Sequence, residues 1–431
     1  MMNTDNTTRT KNYDVVVIGG GAAGLATIAS LLKRQPSLKI ALAEPSDQHY
    51  YQPGWTLVGG GVFKQASTVK NMADLIPAAV TWYKSAAASF QPELNQVVLQ
   101  DNSTLSYRAL VVAMGLKLDW SAIPGLADSL GQHGVTSNYA PGLAPYTWQL
   151  VQQLQQGTAI FTQPPMPIKC AGAPQKAMYL SCDHWLRHHV LKNINVHFCS
   201  AGAAIFGVAD YVPALQQYIE KYAINLNLQT NLIALDASSQ TAYFRQTQAD
   251  GSSKDIEKHF DMLHVTPPQV APDVLRQSLL ADNAGWMNVF PDTLQHQQWP
   301  NVFALGDCAN TPNAKTAAAV RKQAPVVAEN LIKLLTNKPM QAVYDGYGSC
   351  PLTVERGKIV LAEFLYGGKV EPTFPKWLVD GTKPSALSWF LKEKMLPPLY
   401  WYAMLKGHEW LATPSYRDDL PQDRHQKNQL K

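Results

Sequence analysis

The hydrophobic positions first form a clear pattern between Tyr13 and Glu44. Asp14-VVVI-Gly19 is apolar and β-branched at nearly every position, which predicts a strand covered on both faces in a parallel sheet. Leu25 to Arg34 is apolar and alanine-rich and predicts a helix; Lys39-IALAE predicts a second strand ending on Glu44. Thr81 to Leu99 predicts two short strands around a turn at Pro92 to Asn95, and Leu105-SYRALVVAMG another strand. The pattern shifts between Pro124 and Pro268, where Thr158-AIFT and Asn195-VHFCS predict the strands of an inserted unit and Asp261-MLHVTPP leads back. Asn301-VFALGD and the run from Lys315 to Leu335 then predict a strand followed by a helix. The division expected is 12–123 and 269–375 for one α/β domain, 124–268 for a second, and 376–431 for a helical C-terminal segment.

Glycine spacing gives the first strand its chemistry. Gly19, Gly21 and Gly24 fall at G-x-G-x-x-G between strand and helix, where a tight turn lets backbone approach a pyrophosphate at the helix N-terminus. Glu44 ends the next strand about 20 residues on, where a carboxylate grips a ribose diol. Asp307, at the end of its own strand in Gly306-Asp307, is placed to accept from a cofactor hydroxyl. Lys315 and the helix N-terminus after it are placed to face the negative charge of a reduced flavin, which favours FAD over a nicotinamide nucleotide. The aromatic and glycine-rich Pro45-SDQHYYQPGWTLVGGG reads as a loop folded over the cofactor.

Composition narrows the class. Charged residues are 16%, hydrophobic residues 46%, and the net charge of +4 is too slight to indicate nucleic acid. No apolar run is long enough for a membrane span, and the polar first dozen residues lack the pattern of a secretory or organelle leader. The five cysteines include no C-x-x-C pair, so neither a disulfide framework nor a zinc site is expected, and no metal is assigned.

The inserted unit lacks the second glycine fingerprint that would hold NAD(P)H. Gly157-TAIFTQ runs instead into Pro164-PMPIKCAGAPQKAMYL, with Cys170 just before a helix expected to begin near Pro174, whose positive end lowers a thiol pKa. Cys350, in Tyr344-DGYGSCPL, occupies a second Gly/Pro-rich turn; Cys182, Cys199 and Cys308 read as packing. Leu387-SWFLKEKMLPPLYWYAMLKGHEW interleaves aromatics with Lys392, Lys394 and Lys406. It reads as an amphipathic interfacial segment whose lysines meet head groups, the alternative being a helical pair docked on the core.

The segments EPSDQHYYQPGWTLVGGG, PIKCAGAPQKAMYL, LHVTPP, GDC, KTAAAV, DGYGSCPL and MLPPLYW resemble sulfide:quinone oxidoreductase, in the branch that includes the mitochondrial enzyme, from about Tyr13 to Trp410. The resemblance implies two Rossmann-like domains of the glutathione-reductase type with FAD between them and a C-terminal membrane-binding segment. It implies a Cys170/Cys350 redox disulfide that hydrogen sulfide attacks, leaving a persulfide on Cys350 and a Cys170 thiolate toward the flavin. Electrons then go to a membrane quinone and sulfur to a small acceptor such as sulfite, cyanide or a thiol. Carried onto matching positions, FAD contacts fall on Ala22, Ala23, Glu44, Gln52, Ala87, Asp307 and Lys315, beside the glycine loop. No cysteine stands between 101 and 169, so the flavin is expected to be non-covalent. A peripheral enzyme on the cytoplasmic face of a bacterial inner membrane is expected, with a homo-oligomer possible. The runners-up are a type II NADH:quinone reductase, disfavoured by the missing loop, and a non-catalytic flavin-binding subunit, which would have no use for the two cysteine turns.

Overall fold

The computed structural model describes residues 11–420; the N-terminal stretch 1–10 and the end of the C-terminal segment, 421–431, lie outside the described residues. β1 (Lys11–Ile18), α1 (Ala22–Arg34) and β2 (Ile40–Ala43) follow one another as the hydrophobic pattern predicts. Val15, Val16 and Val17 are fully buried, because helices and loops cover both faces of the strand. Between Val80 and Leu99 the two expected strands are three: β3 (Val80–Tyr83), β4 (Ala87–Gln91) and β5 (Gln96–Leu99). β3 pairs in parallel with β2, whereas β4 and β5 form an antiparallel hairpin at the opposite edge of the sheet. The break falls at Lys84–Ala86, where Lys-Ser-Ala has neither glycine nor proline to signal a turn. β6 (Thr104–Val112) runs beside β1.

The second sheet is built from β7 (Val135–Thr136), β8 (Gly157–Gln163), β9 (Ile194–Ser200), β10 (Asn225–Asn227) and β11 (Met262–His264), with α2 (Ala173–Arg187) between β8 and β9. The chain returns through β12 (Val302–Ala304) and α3 (Ala317–Leu335), then the hairpin β13 (Gly348–Glu355) and β14 (Lys358–Phe364). The first sheet has the order β3-β2-β1-β6-β5-β4, with β12 beside β6. The second is parallel throughout, in the order β7-β11-β8-β9-β10. This α/β architecture carries two dinucleotide-binding-type sheets, and ligands of such sheets sit at the carboxyl ends of their strands.

The hairpin β13–β14 leaves the first sheet and packs on α2 of the second: Cys350, Leu352 and Val354 share a buried cluster with Ala177, Met178 and Trp185. Cys350 therefore lies within a strand, opposite Ala362, and not in the turn its neighbours predicted. Pro351 is accommodated because the hairpin is its own two-stranded sheet, with a free edge.

Residues 386–406 form one helical run capped by Ser385, with wide i→i+5 turns on either side of Pro397 and Pro398, which cannot donate. No helix among the described residues is long and apolar enough to cross a membrane. Leu387, Phe390, Met395, Leu396, Tyr402 and Trp410 are exposed, while Tyr400, Trp401 and Leu405 are buried against the first domain. Of the three interleaved lysines, Lys394 and Lys406 are exposed, but Lys392 is only 4% exposed and turns inward. His49 Nδ1 lies 3.0 Å from the Gly20 carbonyl and its Nε2 lies 2.7 Å from the Tyr400 hydroxyl. A carbonyl only accepts, so Nδ1 carries the proton and Tyr400 donates to Nε2. The C-terminal segment is thus tied to the glycine loop through one neutral imidazole.

Tyr400→Phe leaves a buried acceptor unpaired and is expected to lower the unfolding free energy by about 1–3 kcal/mol in urea titrations. Burial pushes His49 down from 6.5 to about 4, against the hydrogen bond to Gly20, and burial moves His264 to about 4 as well. The unfolded chain binds these protons first. Stability is therefore full above pH 6.5 and is lost as pH falls toward 4, which melting curves across that range will show. A stability flat across this window would contradict the neutral imidazoles.

Candidate active site

The glycine loop closes on itself at backbone contact. Gly19 takes φ +102°, and a Cβ there would lie 2.6 Å from the Ala113 carbonyl oxygen; one on Gly24 would lie 1.8 Å from that of Gly19. Around a Cβ on Gly21, in contrast, there is nothing within 4 Å, so the loop leaves room for a ligand at that position. Ala22 and Ala23 open α1, and a Cβ on Gly306, at φ +75°, would stand 3.1 Å from that of Ala23. This contact brings the N-terminal fingerprint and the Gly306-Asp307 turn together. Glu44 ends beside the loop, its carboxylate accepting from Gly20 N at 2.7 Å and Ser46 N at 2.8 Å. Ala87 opens β4 as a buried residue packed on the Ile18 and Ala43 face of the first sheet.

Around the second half of the site, donors lack protein acceptors. Gln52 Oε1 accepts from Lys169 Nζ at 2.7 Å, and Lys169 Nζ stands 5.8 Å from the Trp55 ring. Lys169 N donates to Gln269 Oε1 at 2.7 Å. Trp55 Nε1 and Gln269 Nε2 are buried without a partner, as are both side-chain polar atoms of Asn138. Burial raises the pKa of Asp307, with Lys169 and Lys315 opposing. Open space at Gly21, unpaired donors near Lys169 and a buried carboxylate at Asp307 fit a polar, hydroxyl-bearing group of the flavin dinucleotide kind. Lys315 departs from its expected posture: it precedes the helix cap at Thr316, and its ammonium donates to the carbonyls of Asp307 at 2.8 Å and Ala309 at 2.7 Å, 4.5 Å from the Trp286 ring.

The same Lys315 anchors the cysteine loop through its backbone. Cys170 N donates to Lys315 O at 2.9 Å, and the Tyr139 hydroxyl reaches the Lys169 and Cys170 carbonyls at 3.2 and 3.3 Å. Cys170 itself has φ +48°, a left-handed backbone that non-glycine residues rarely adopt and that here is held from both sides. α2 begins at Ala173, close to the expected Pro174, and its N-terminus fills the place where a second glycine fingerprint would cradle a pyrophosphate. β13 then lays Cys350 over the loop. The two sulfurs are 4.0 Å apart and unbonded, and a Cβ on Gly172 would strike Cys350 Sγ at 2.5 Å.

Charge distinguishes the two thiols. The thiol of Cys350, donating across the 4.0 Å gap, holds Cys170 well below the usual thiol range; burial opposes this, and Lys176 Nζ, 3.2 Å from Cys170 Sγ, adds to it. The same hydrogen bond and burial push Cys350 well above that range. Burial works against the charge of Lys176, yet the two sulfurs outweigh it and raise its pKa. Burial and then Lys176 bring Lys392 down to about 7, with the two cysteines pulling the other way. Cys199 and Cys308 are pushed up by burial to about 12 and about 11, and Cys182 higher still. These three are inert packing thiols.

The sequence pattern missed Lys176, Lys392, Tyr139 and His49. Lys176 did carry a signal, since a cation in the first turns of a helix opposes its dipole and needs an anion to keep it there. Lys392 carried none, standing among other lysines of an amphipathic run.

Residues 13–164 match the family model for pyridine nucleotide-disulphide oxidoreductases. A protein of Dictyostelium discoideum named mitochondrial sulfide:quinone oxidoreductase is 42% identical over 91% of this chain and 86% of its own length. One of Mus musculus with the same name is 39% identical over 93% and 88%. The solved sulfide:quinone oxidoreductase of Aquifex aeolicus superposes with a TM-score of 0.77 at 17% identity, covering 95% of this chain and 98% of that one, which shows the fold. The two sequence relatives are eukaryotic, so the expectation of a bacterial inner membrane finds no support in them. With relatives this similar over nearly their whole length, and an α/β fold of the same kind, the chain belongs to the sulfide:quinone oxidoreductase family of flavoprotein oxidoreductases.

Proposed function

We propose that this protein oxidises sulfide at a Cys170/Cys350 disulfide and delivers the electrons to a quinone at a membrane surface. The observation that carries this reading is the pair of sulfurs 4.0 Å apart with Lys176 3.2 Å from Cys170, at the helix end where a nicotinamide reductase would hold pyrophosphate. Forming the bond requires the sulfurs to close to about 2.05 Å. In the oxidised pair hydrosulfide attacks Cys350 Sγ, the S–S bond breaks, and Cys170 leaves as a thiolate. That direction follows from charge, because the sulfur of lower pKa is the better leaving group and Lys176 stabilises it. Cys350 then carries the sulfane sulfur, which a small nucleophile such as sulfite, cyanide or a thiol removes. FAD, held non-covalently by Gly19, Gly21, Ala22, Ala23, Gly24 and Glu44 with Gln52, Ala87 and Asp307, and with Lys315 shaping the Asp307 turn, supplies when bound a two-electron acceptor between the cysteines and the quinone. Lys392 sits where it can exchange a proton with the cysteine site near neutral pH. The exposed apolar side chains of 387–410 support peripheral attachment.

Anaerobic addition of sulfide is expected to bleach the flavin absorbance within one turnover, and NADH to leave it unchanged; bleaching by NADH alone would favour the pyridine-nucleotide reading. Acid precipitation is expected to leave the flavin in the supernatant. Cys170→Ser and Cys350→Ser should each retain flavin yet lose at least about a hundredfold in sulfide-dependent bleaching, comparable to removal of one essential transition-state group. Cys182→Ser and Cys199→Ser should do little. Normal turnover by Cys350→Ser would refute the mechanism.

In the reduced protein, Cys170 is expected to be alkylated by iodoacetamide below the pH at which an ordinary thiol ionises, and Cys350 to resist. Lys176→Met should move that reactivity upward in pH. Peptide mapping of the label at each pH decides it, and equal labelling of both cysteines would reverse the assignment.

A further inference from the structure

Beside the C-terminal segment a cleft of about 520 Å³ opens among Lys70, Asn71, Asp74, Trp401, Tyr402 and Lys406. Lys70 Nζ stands 4.8 Å from the Trp401 ring centroid and 4.5 Å from that of Tyr402, so two aromatic faces hold the ammonium in place. Several exposed lysines of this protein meet a carboxylate, as Lys84 meets Asp47 and Lys117 meets Asp273. No such ion pair is formed by Lys70, Lys406 or Asp74 among the described residues, although all three line one cleft. The floor of the cleft is Trp401, whose ring packs against His49, 5.6 Å between centroids. Its rim continues into the exposed Tyr402, which is 66% accessible.

We infer that this cleft binds the headgroup of an anionic phospholipid, a phosphodiester carrying hydroxyl groups. Two lysines and one aspartate line the cleft, so it has a formal net charge of +1 and complements one phosphodiester. Lys70 and Lys406 take the phosphate oxygens, while Asp74 accepts from the hydroxyls of the alcohol; Asn71 Oδ1 already accepts from Gln48 Nε2 at 3.3 Å. The acyl chains leave past Tyr402, on the same helical run as the exposed Leu396, Met395 and Phe390. The inference rests on the peripheral attachment proposed above and adds to it a lipid class and a site. Neither lysine belongs to the cofactor loop or to the cysteine site.

The test is co-sedimentation of the holoenzyme with vesicles of phosphatidylcholine alone or mixed with phosphatidylglycerol, at physiological salt. Phosphatidylglycerol is expected to raise the bound fraction, and each lysine lost to cost about fivefold in affinity. K70Q, K406Q and the double variant should fall stepwise toward the phosphatidylcholine level with sulfide-dependent bleaching unchanged. A control of equal charge loss on the exposed antiparallel strand Ser253–His259, K254Q/K258Q, should not. If the control loses as much as K70Q/K406Q, or the latter loses nothing, the cleft is not the site. If the wild type sediments with neither vesicle, peripheral attachment itself fails. Calorimetry with short-chain phosphatidylglycerol then judges the cleft alone: binding lost in K406Q supports it, and no binding overturns it. Equal competition by inorganic phosphate would mark a free-phosphate site and also overturn the lipid assignment.

Discussion

A thiolate kept inside a protein needs hydrogen-bond donors or a cation beside it, and the architecture around Cys170 supplies both, the Cys350 thiol and then Lys176. Desolvating the charge would otherwise push the thiol upward, as it does at Cys182, Cys199 and Cys308. Lys176 lies on the helix that follows the cysteine loop, so the group that stabilises the sulfur and the loop that carries it move as one piece. The hydrogen-bonding thiol of Cys350 is added only when the β13–β14 hairpin packs on that helix. The stabilised anion is thus assembled from three parts of the chain.

The loop has a second constraint, its backbone bond to Lys315. That bond joins the sheet carrying the cysteine loop to the turn of Asp307, and Asp307 in turn neighbours the glycine loop through Gly306 and Ala23. A cofactor lying between Gly21 and Asp307 would therefore meet the cysteine loop with little freedom to shift. The Lys315 ammonium, satisfied by two carbonyls, holds the turn in shape and so acts on the site through the backbone.

The C-terminal segment serves both sides of the molecule. Its outer residues are apolar and exposed, while Lys392 is buried within electrostatic reach of Lys176 and the two cysteines, and Tyr400 reaches the glycine loop through His49. A segment read as interfacial, with docking on the core as its alternative, thereby also contributes to the electrostatics around the two cysteines. Removing it would change the electrostatics around Cys170 and Cys350 as well as the exposed apolar surface, so the segment does not divide cleanly from the rest of the molecule.

Some of this was determined by sequence alone. The strand–glycine–helix–strand unit, the terminal carboxylates of Glu44 and Asp307, the missing second fingerprint and the start of α2 are local features, fixed by backbone sterics and hydrophobic period over a few residues. The segments carrying Cys170 and Cys350 also declared their family. The 4.0 Å approach of two sulfurs 180 positions apart was a matter of tertiary structure, because only the packing of β13–β14 on α2 brings them together. The same holds for Lys392, which local pattern places at the head groups of a membrane surface with Lys394 and Lys406. Burial of a charged side chain depends on which distant groups can compensate it, and no local pattern encodes that.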